Sequence, residues 1–317
     1  MYLLLFNRDL DTLKDYLSEL AAESETIKTS TLLELSGVSG RELDKFSDIW
    51  LTLECGIKVK ILTGLTELAE LDVQLDFTPI CRLGLLDLDP TIRKAALEGL
   101  WEIQDRSFLQ PIIDILMNDP DPDVRSAAAL SLSSFAQMSQ NGKLINRDST
   151  KLFEALIQTI ENVEEDDKVL GKALESIGYF SDQAVDDALN KFHRHKNPLL
   201  RQSAIFAMGR NAQQKWIDII LNDLIDENPA IRFEALNAAG FLCDESNVTQ
   251  IIPFTKNSDI QIQTSALTTL GYIGGELAKH EILTWTEDDD DNIRDAAINA
   301  LANIDFEQDP LGLSIRE

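Results

Sequence analysis

A short pattern recurs at a fixed spacing through most of this chain. NPLLRQSAIFAMG (197–209) and NPAIRFEALNAAG (228–240) align with each other at a spacing of 31 residues. Segments of the same form span residues 87–100, 119–132, 165–178, 258–271 and 290–302. A repeat of this length is a supersecondary unit that cannot bury its apolar face alone. The pattern therefore predicts a stack of similar units in place of a single globular core.

The aligned segments share columns of similar residues. An aliphatic anchor occupies the first column, at Ile92, Val124, Val169, Leu200, Ile231, Ile262 and Ile293. Alanine stands four residues after each anchor, at Ala96, Ala128, Ala173, Ala204, Ala235, Ala266 and Ala297. Arginine directly follows the anchor at Arg93, Arg125, Arg201, Arg232 and Arg294, and glycine stands nine residues after it at Gly178, Gly209, Gly240 and Gly271. Small residues in fixed columns predict that neighbouring units approach closely.

Each unit is predicted to contain two helices. After each anchor, apolar residues recur at spacings of three and four, which is typical of a helix with one buried face. A second amphipathic segment precedes each anchor, and turns rich in Asp, Asn and Pro join the two helices and supply helix caps. The predicted fold class is all-α, an α-solenoid of antiparallel helix pairs with about 31 residues per repeat.

The repeat frame also predicts how the chain is divided. Residues 75–305 hold the frame and are predicted to form the solenoid. Residues 1–74 do not hold it and are predicted to form an irregular helical N-terminal cap, while residues 306–317 are predicted as a C-terminal tail. One spacing lengthens to 45 residues, which predicts an insertion near residues 136–149.

The pattern D-x-x-(I/V)-R-x-x-A-(L/I), repeated every 31 residues, resembles HEAT-like repeats. It is most similar to the short bacterial kind that also occurs in phycobilisome-lyase-type proteins. The resemblance covers about residues 75–305 and implies an α-solenoid fold. It implies a broad range of functions, because proteins of this architecture mostly serve as scaffolds and binding modules and a few are enzymes.

The charge of the chain limits its partners. Asp and Glu number 55 against 28 Lys and Arg, which gives a formal net charge of −27. Such a field repels nucleic acids and anionic membrane surfaces and favours a basic partner. Three cysteines without a CxxC pair, and the absence of a signal peptide or of an apolar run long enough to span a membrane, indicate a cytoplasmic protein.

No motif in the sequence marks a catalytic, cofactor-binding or metal site. HExxH, GxSxG and a Gly-rich phosphate loop are all absent from the sequence. His193 and His195 are two residues apart and cannot share a helix face. The pair His280 and Glu281 resembles the His-Glu dyads of deoxyhypusine hydroxylase, a HEAT-like enzyme, but its di-iron site requires several dyads and this chain has one. We therefore predict no catalytic residues, no cofactor and no metal.

Two polar features have a structural interpretation. The arginine that follows five of the seven anchors is predicted to lie in the first turn of the second helix, beside the Asp of its own or the neighbouring turn. The run Asp288–Asp291 occupies the turn before anchor Ile293, where other units carry DLDP, DPDP or DENP. We interpret the run as helix-capping turn residues and reject a calcium loop, which would need a glycine and a later Glu at fixed spacing.

The exposed side of the second helices is predicted to line the concave face of the solenoid. Positions two, six and ten after the anchor are expected there, and in the later units they carry several aromatic residues although aromatics are only 7% of the chain. The residues predicted to bind a partner on this face are Glu175, Tyr179, Phe206, Arg210, Phe233, Asn237, Phe241 and Tyr272. In the alternative interpretation, Phe206, Phe241 and Tyr272 pack against adjacent helices.

The sequence thus predicts a non-catalytic, cytoplasmic scaffold or adaptor that binds a protein partner, with a basic one favoured, on its concave face. The first alternative is a protein that handles a chromophore or small molecule, similar to bilin lyases with such repeats. This alternative requires the aromatic groove to close into a deep pocket with a polar group at its base. The second alternative, an enzyme that acts on nucleic acid, is disfavoured by the acidic charge.

Overall fold

The computed structural model of the protein describes residues 27–100 and 102–308. All regular structure in these residues is helical, with no strand. The chain divides into two compact units, one of residues up to 138 together with 144–155, and the other of residues 139–143 and 156 onward. The all-α class predicted from the sequence is confirmed.

The first unit contains three helices in the predicted cap region and then the first repeats. Its helices are α1 (Thr29–Leu33), α2 (Gly40–Trp50), α3 (Cys55–Leu71), α4 (Thr78–Gly84), α5 (Pro90–Glu98), α6 (Leu109–Asn118) and most of α7 (Pro122–Gln140). Helix α8 (Asn146–Glu161) starts in the first unit and ends in the second. The predicted insertion near residues 136–149 lies at the end of α7 and the start of α8, both of which are long. Residues 1–26 of the predicted cap lie outside the described residues.

The second unit continues the alternation of first and second helices. Its helices are α9 (Asp167–Ile177), α10 (Gln183–His193), α11 (Pro198–Asn211), α12 (Ile217–Asp223), α13 (Pro229–Leu242), α14 (Val248–Ile251), α15 (Ile260–Ile273), α16 (Glu276–Leu283) and α17 (Asp291–Gln308). The second helices α9, α11, α13, α15 and α17 pack in that order, each against the next. Helix α17 extends three residues into the predicted tail, of which residues 309–317 lie outside the described residues.

The repeat columns form the core. All seven anchors are buried, and the alanine four residues after each anchor is fully buried as well. In the second unit, a Cβ atom on Gly178, Gly209 or Gly271 would lie within 2.9 Å of a backbone atom of the next second helix. A Cβ atom on Gly271 would lie 2.7 Å from the Cα atom of Ala300 on the next second helix, so no side chain fits there.

The turn before each second helix caps that helix with a side chain. In all seven units the Asp or Asn three residues before the anchor accepts a hydrogen bond from the backbone N–H two residues further on, at 2.8 to 3.0 Å. Each bond satisfies an N–H group that has no partner within its own helix. The Asp288–Asp291 run follows the same design, with Asp290 as the cap, so its interpretation as turn residues is confirmed.

The arginine column closes the same turns. In four units its Nη1 atom donates to the carbonyl oxygen six residues earlier, for example from Arg232 to Asp226 at 2.9 Å. Arg93 also forms a two-pronged ion pair with Asp119 of the following turn, at 2.7 and 2.9 Å. The arginines therefore tie each turn together and in places join it to the next turn, as their sequence position predicts.

The close approach of the second helices predicts a specific cost for added volume. Gly271→Ala should lower the free energy of unfolding by about 1–3 kcal/mol, because the new methyl group forces α15 and α17 apart. Gly56→Ala is the matched control, since Gly56 lies in α3 with no atom within 4 Å of the added Cβ, and it should be neutral or stabilising. Denaturant unfolding followed by circular dichroism measures both. Equal stability of Gly271→Ala and the wild type would contradict this packing.

Candidate functional site

The exposed edges of α11, α13 and α15 carry a row of stacked side chains. The guanidinium carbon of Arg210 lies 5.1 Å from the ring centre of Phe206, on its own helix, and 4.5 Å from the ring centre of Phe241 on α13. Phe241 in turn stacks on Tyr272 of α15, with ring centres 6.0 Å apart and planes at 23°. We call these four residues the cation–aromatic ladder. Such contacts stabilise the arrangement beyond the area that they bury.

The ladder forms one wall of a pocket of about 310 Å³. The pocket is lined by Phe206, Arg210, Glu234, Asn237, Ala238, Phe241, Thr268, Thr269 and Tyr272. Phe241 and Tyr272 remain 48% and 49% exposed, so the pocket is open to solvent on the side of these two rings. The remaining lining places small and polar side chains next to the aromatic wall.

Glu234 is the acidic group of the pocket. Its side chain is buried, and burial raises the pKa of the carboxyl group from 4.5 to about 7. A hydrogen bond from Gln202 opposes this shift, the negative charge of Glu175 adds to it, and the positive charges of Arg210 and Lys172 oppose it. Near neutral pH the carboxyl group therefore exchanges between its neutral and charged forms.

Arg210 supplies the positive charge of the pocket, and one of its N–H groups lacks a hydrogen-bond acceptor among the described residues. Its Nε–H group is shielded from solvent and has no hydrogen-bond acceptor within residues 27–100 and 102–308. The guanidinium group is therefore held mainly by the two phenyl rings and by its attraction to Glu234. A cation between two aromatic rings is a fixed charge, because its planar group has few orientations available.

Five of the eight residues predicted from the sequence come together at this pocket: Phe206, Arg210, Asn237, Phe241 and Tyr272. The other three lie outside it. Glu175 accepts hydrogen bonds from Ser203 at 2.8 Å and from Lys172 at 2.7 Å, and so is committed to neighbouring side chains. Tyr179 and Phe233 are half-buried and do not line the pocket.

Sequence reasoning missed Glu234 because it chose the wrong helical stripe. Positions two, six and ten after an anchor span about 80° of the helix surface. The pocket uses positions three, six, seven and ten, which are Glu234, Asn237, Ala238 and Phe241 on α13 and form a stripe centred about 50° further around the helix. Position three is Ala, Lys or Ser in the other units, so a single Glu in that column was the available signal.

Other polar clusters in the described part of the chain have structural partners. His193 Nε2 lies 2.7 Å from Asp223 Oδ2, and Arg201 contacts Asp226 at 2.7 Å in the adjoining turn. No group of three or more His, Cys, Asp or Glu side chains within these residues is arranged to hold a metal ion. Within the same residues, no helix is both long enough and apolar enough to cross a membrane.

Comparison with known proteins agrees with this architecture. Residues 82–144 match the family model of HEAT repeats. Together with the helix pairs of the structure, this match identifies the fold as an α-solenoid of HEAT-like helix pairs. The sequence has no significant match among curated proteins.

Solved structures of the same fold accompany this match. The chain is similar to a chain of the CpcE–CpcF complex of phycocyanin lyase from Nostoc sp. PCC7120, with 15% identity, a TM-score of 0.53, and coverage of 90% of this chain and 96% of the other. It is also similar to chains in the Kap95:Nup1 complex and in a complex of Kap95p with RanGDP, each with 14% identity and a TM-score of 0.51. The present chain matches 46% of the length of each of these two chains, with 93% and 95% of its own length covered. At such identities the likeness shows the fold alone.

The raised pKa of Glu234 predicts a pH-dependent stability. Because the pKa is higher in the folded than in the unfolded state, its contribution is complete below pH 4.5 and is lost as the pH rises through about 7. The loss corresponds to about 3 kcal/mol. Glu234→Gln removes this dependence, so its stability relative to the wild type should rise between pH 5 and pH 8.

Urea unfolding of both proteins at the two pH values measures this difference. Glu227→Gln is the matched control, since Glu227 is exposed in the turn before α13. That variant should follow the wild type at both pH values. If Glu234→Gln also followed the wild type, Glu234 would not be buried as described.

Proposed function

We propose that this protein is a non-catalytic, cytoplasmic adaptor that binds a segment of a protein partner on the concave face of its solenoid, with the ladder pocket as the centre of the binding surface. A HEAT-repeat fold supports a role in protein interaction, because stacked second helices offer a long rigid surface. The observation that carries the proposal is the ladder itself. Two aromatic rings stay half-exposed in a protein of low aromatic content, beside an arginine that is already ordered.

The chemistry of the ladder supports this function. Aromatic residues and arginine supply most of the affinity at protein interfaces, especially where they line a preformed pocket. The side chains of the ladder are fixed by contacts within the protein, so this protein would lose less conformational entropy when a partner binds. Asn237 and Thr268 add polar side chains to the lining of the pocket. Such a surface suits an extended segment with one inserted side chain.

A second candidate is the handling of a chromophore or small molecule. It is favoured by the polar group that Glu234 places in an aromatic pocket, and the lyase complex named above shares the fold. The pocket volume of about 310 Å³ is at the lower limit for small-molecule sites, and two of its rings are half-exposed. Titration with linear tetrapyrroles, followed by absorption spectroscopy, separates the two candidates, since the adaptor should give no saturable spectral change.

The adaptor proposal predicts that partner binding depends on the ladder. The double variant Phe206→Ala with Phe241→Ala should bind the partner at least tenfold more weakly, because both rings that hold Arg210 are removed. The partner is identified by affinity capture from the organism that encodes the chain, and its affinity is then measured with purified proteins. Circular dichroism confirms that the variant is folded.

Phe233→Ala is the matched control, because it removes the same ring from α13 outside the pocket. It should bind within twofold of the wild type. The proposal fails if the double variant retains the wild-type affinity for every partner identified, or if the control loses as much affinity as the double variant.

A further inference from the structure

The ladder shows how this surface holds a guanidinium group. Arg210 places its guanidinium carbon 4.5 Å from the ring centre of Phe241 and 5.1 Å from that of Phe206. Both contacts place the cation over an aromatic ring. The rings of Phe206 and Phe241 therefore already bind one planar cation, the guanidinium group of Arg210.

The ladder ends with an aromatic ring that is open to solvent. Tyr272 stacks on Phe241 and leaves 49% of its surface exposed. Tyr272 also belongs to the lining of the pocket that Glu234 lines. The exposed part of the ring is therefore available to a ligand in this pocket.

Glu234 adds an acceptor with spare capacity to the same pocket. The one hydrogen bond that its carboxyl group accepts from the described residues comes from Gln202 Nε2, at 3.5 Å, the limit for such a bond. A carboxylate accepts up to about four hydrogen bonds, and a buried one that accepts fewer has lost hydration without full replacement. A donor group of a ligand would supply the missing bonds.

We propose that the ladder pocket is a receptor for a single arginine side chain of the partner, whose guanidinium group stacks on Tyr272 and donates hydrogen bonds to Glu234. This inference rests on the proposed adaptor function and names the chemistry of the partner. Arginine fits better than lysine, because its planar group can stack and donate to a carboxylate at the same time. A lysine ammonium group can do only one of these with good geometry.

Charge complementarity points to the same ligand. The chain carries a formal net charge of −27, which attracts cationic segments and speeds their association. Glu234 lines the pocket and accepts one hydrogen bond from the described residues, so it is the acceptor that a cationic ligand would meet there.

Binding should depend on pH through Glu234. The groups that act on its carboxyl are Lys172 and Glu175 from α9 and Gln202 and Arg210 from α11, and Tyr272 from α15 faces the same pocket. Because the pKa of Glu234 is about 7, its charged fraction rises by about tenfold from pH 6 to pH 8, while arginine stays charged throughout. The association constant for an arginine ligand should rise by a similar factor.

The test uses the intact protein labelled with 3-fluorotyrosine and minimal ligands. The chain has four tyrosines, so fluorine NMR gives few signals, and Tyr272→Phe assigns the relevant one. N-acetyl-arginine amide should shift the Tyr272 signal saturably, with a dissociation constant of about 1 mM at pH 8 and near-physiological salt. N-acetyl-citrulline amide, which has nearly the same shape without the charge, should bind at least tenfold more weakly.

Two variants separate the pocket from general electrostatic attraction. Glu234→Gln should weaken binding of the arginine ligand at least fivefold and abolish the rise between pH 6 and pH 8. Glu227→Gln removes one exposed carboxylate of the same turn and helix region and should leave binding unchanged. Circular dichroism of Glu234→Gln at pH 8 verifies that the variant is folded, so lost binding would not reflect unfolding.

The inference is overturned if citrulline amide binds as well as the arginine ligand, if N-acetyl-glutamate amide binds in its place, or if Glu234→Gln binds like the wild type. Its failure is distinct from failure of the adaptor function. If partner binding requires Phe206 and Phe241 but the arginine ligand does not bind, the adaptor function stands and the arginine receptor is rejected. If the arginine ligand binds saturably but partner binding does not depend on the ladder, the adaptor function as stated is rejected.

Discussion

The close contact between neighbouring second helices is the constraint on which the rest of the structure depends. Gly178 and Gly209 lie so near the next helix that a Cβ atom would come within 2.9 Å of a backbone atom of Ala207 or Ala238. The alanine column is fully buried at the same interface. A small residue is required because each helix must bury its apolar stripe against the next one at backbone contact distance. The capping turns and their arginines then set where each helix begins.

This constraint also builds the candidate site. Helices that pack at a fixed offset bring equivalent positions of consecutive units side by side, so long side chains in one column meet across the interface. Arg210, Phe241 and Tyr272 occupy the same position, ten residues after their anchors, in three consecutive units. The ladder therefore results from the repeat geometry. Its proposed function depends on which residue types occupy the tenth position after the anchor in consecutive repeats.

Much of the fold could be predicted from the sequence, because it is encoded in residue types at fixed spacing. The anchors, the alanine column and the Asp or Asn caps are local signals whose structural consequences do not depend on distant residues. The meeting of Phe241 with Tyr272 followed from the same periodicity. The Asp288–Asp291 run, taken by itself, resembles a cation-binding site. Its alignment with the turns of the other repeats identifies it as a helix-capping turn.

The rest of the site depends on side-chain orientation, which periodicity does not determine. Phe233 and Glu234 are consecutive residues of α13, so a rotation of the helix by one residue decides which of them faces the pocket. The placement of Arg210 between two rings depends on its rotamer and on the exact distance between α11 and α13. The raised pKa of Glu234 arises mainly from burial of its carboxyl group, with smaller effects of groups on α9 and α11, and none of this is visible in the sequence.

The central claim is that Arg210 is fixed between Phe206 and Phe241, and the Nε–H signal of Arg210 in nitrogen-edited NMR tests it most directly. The signal is assigned by its loss in Arg210→Lys. A guanidinium between two rings predicts an Nε–H resonance shifted by ring currents and protected from exchange with water, with both properties reduced in Phe241→Ala. An Nε–H resonance at the position of a free arginine side chain, with rapid exchange, would contradict the ladder.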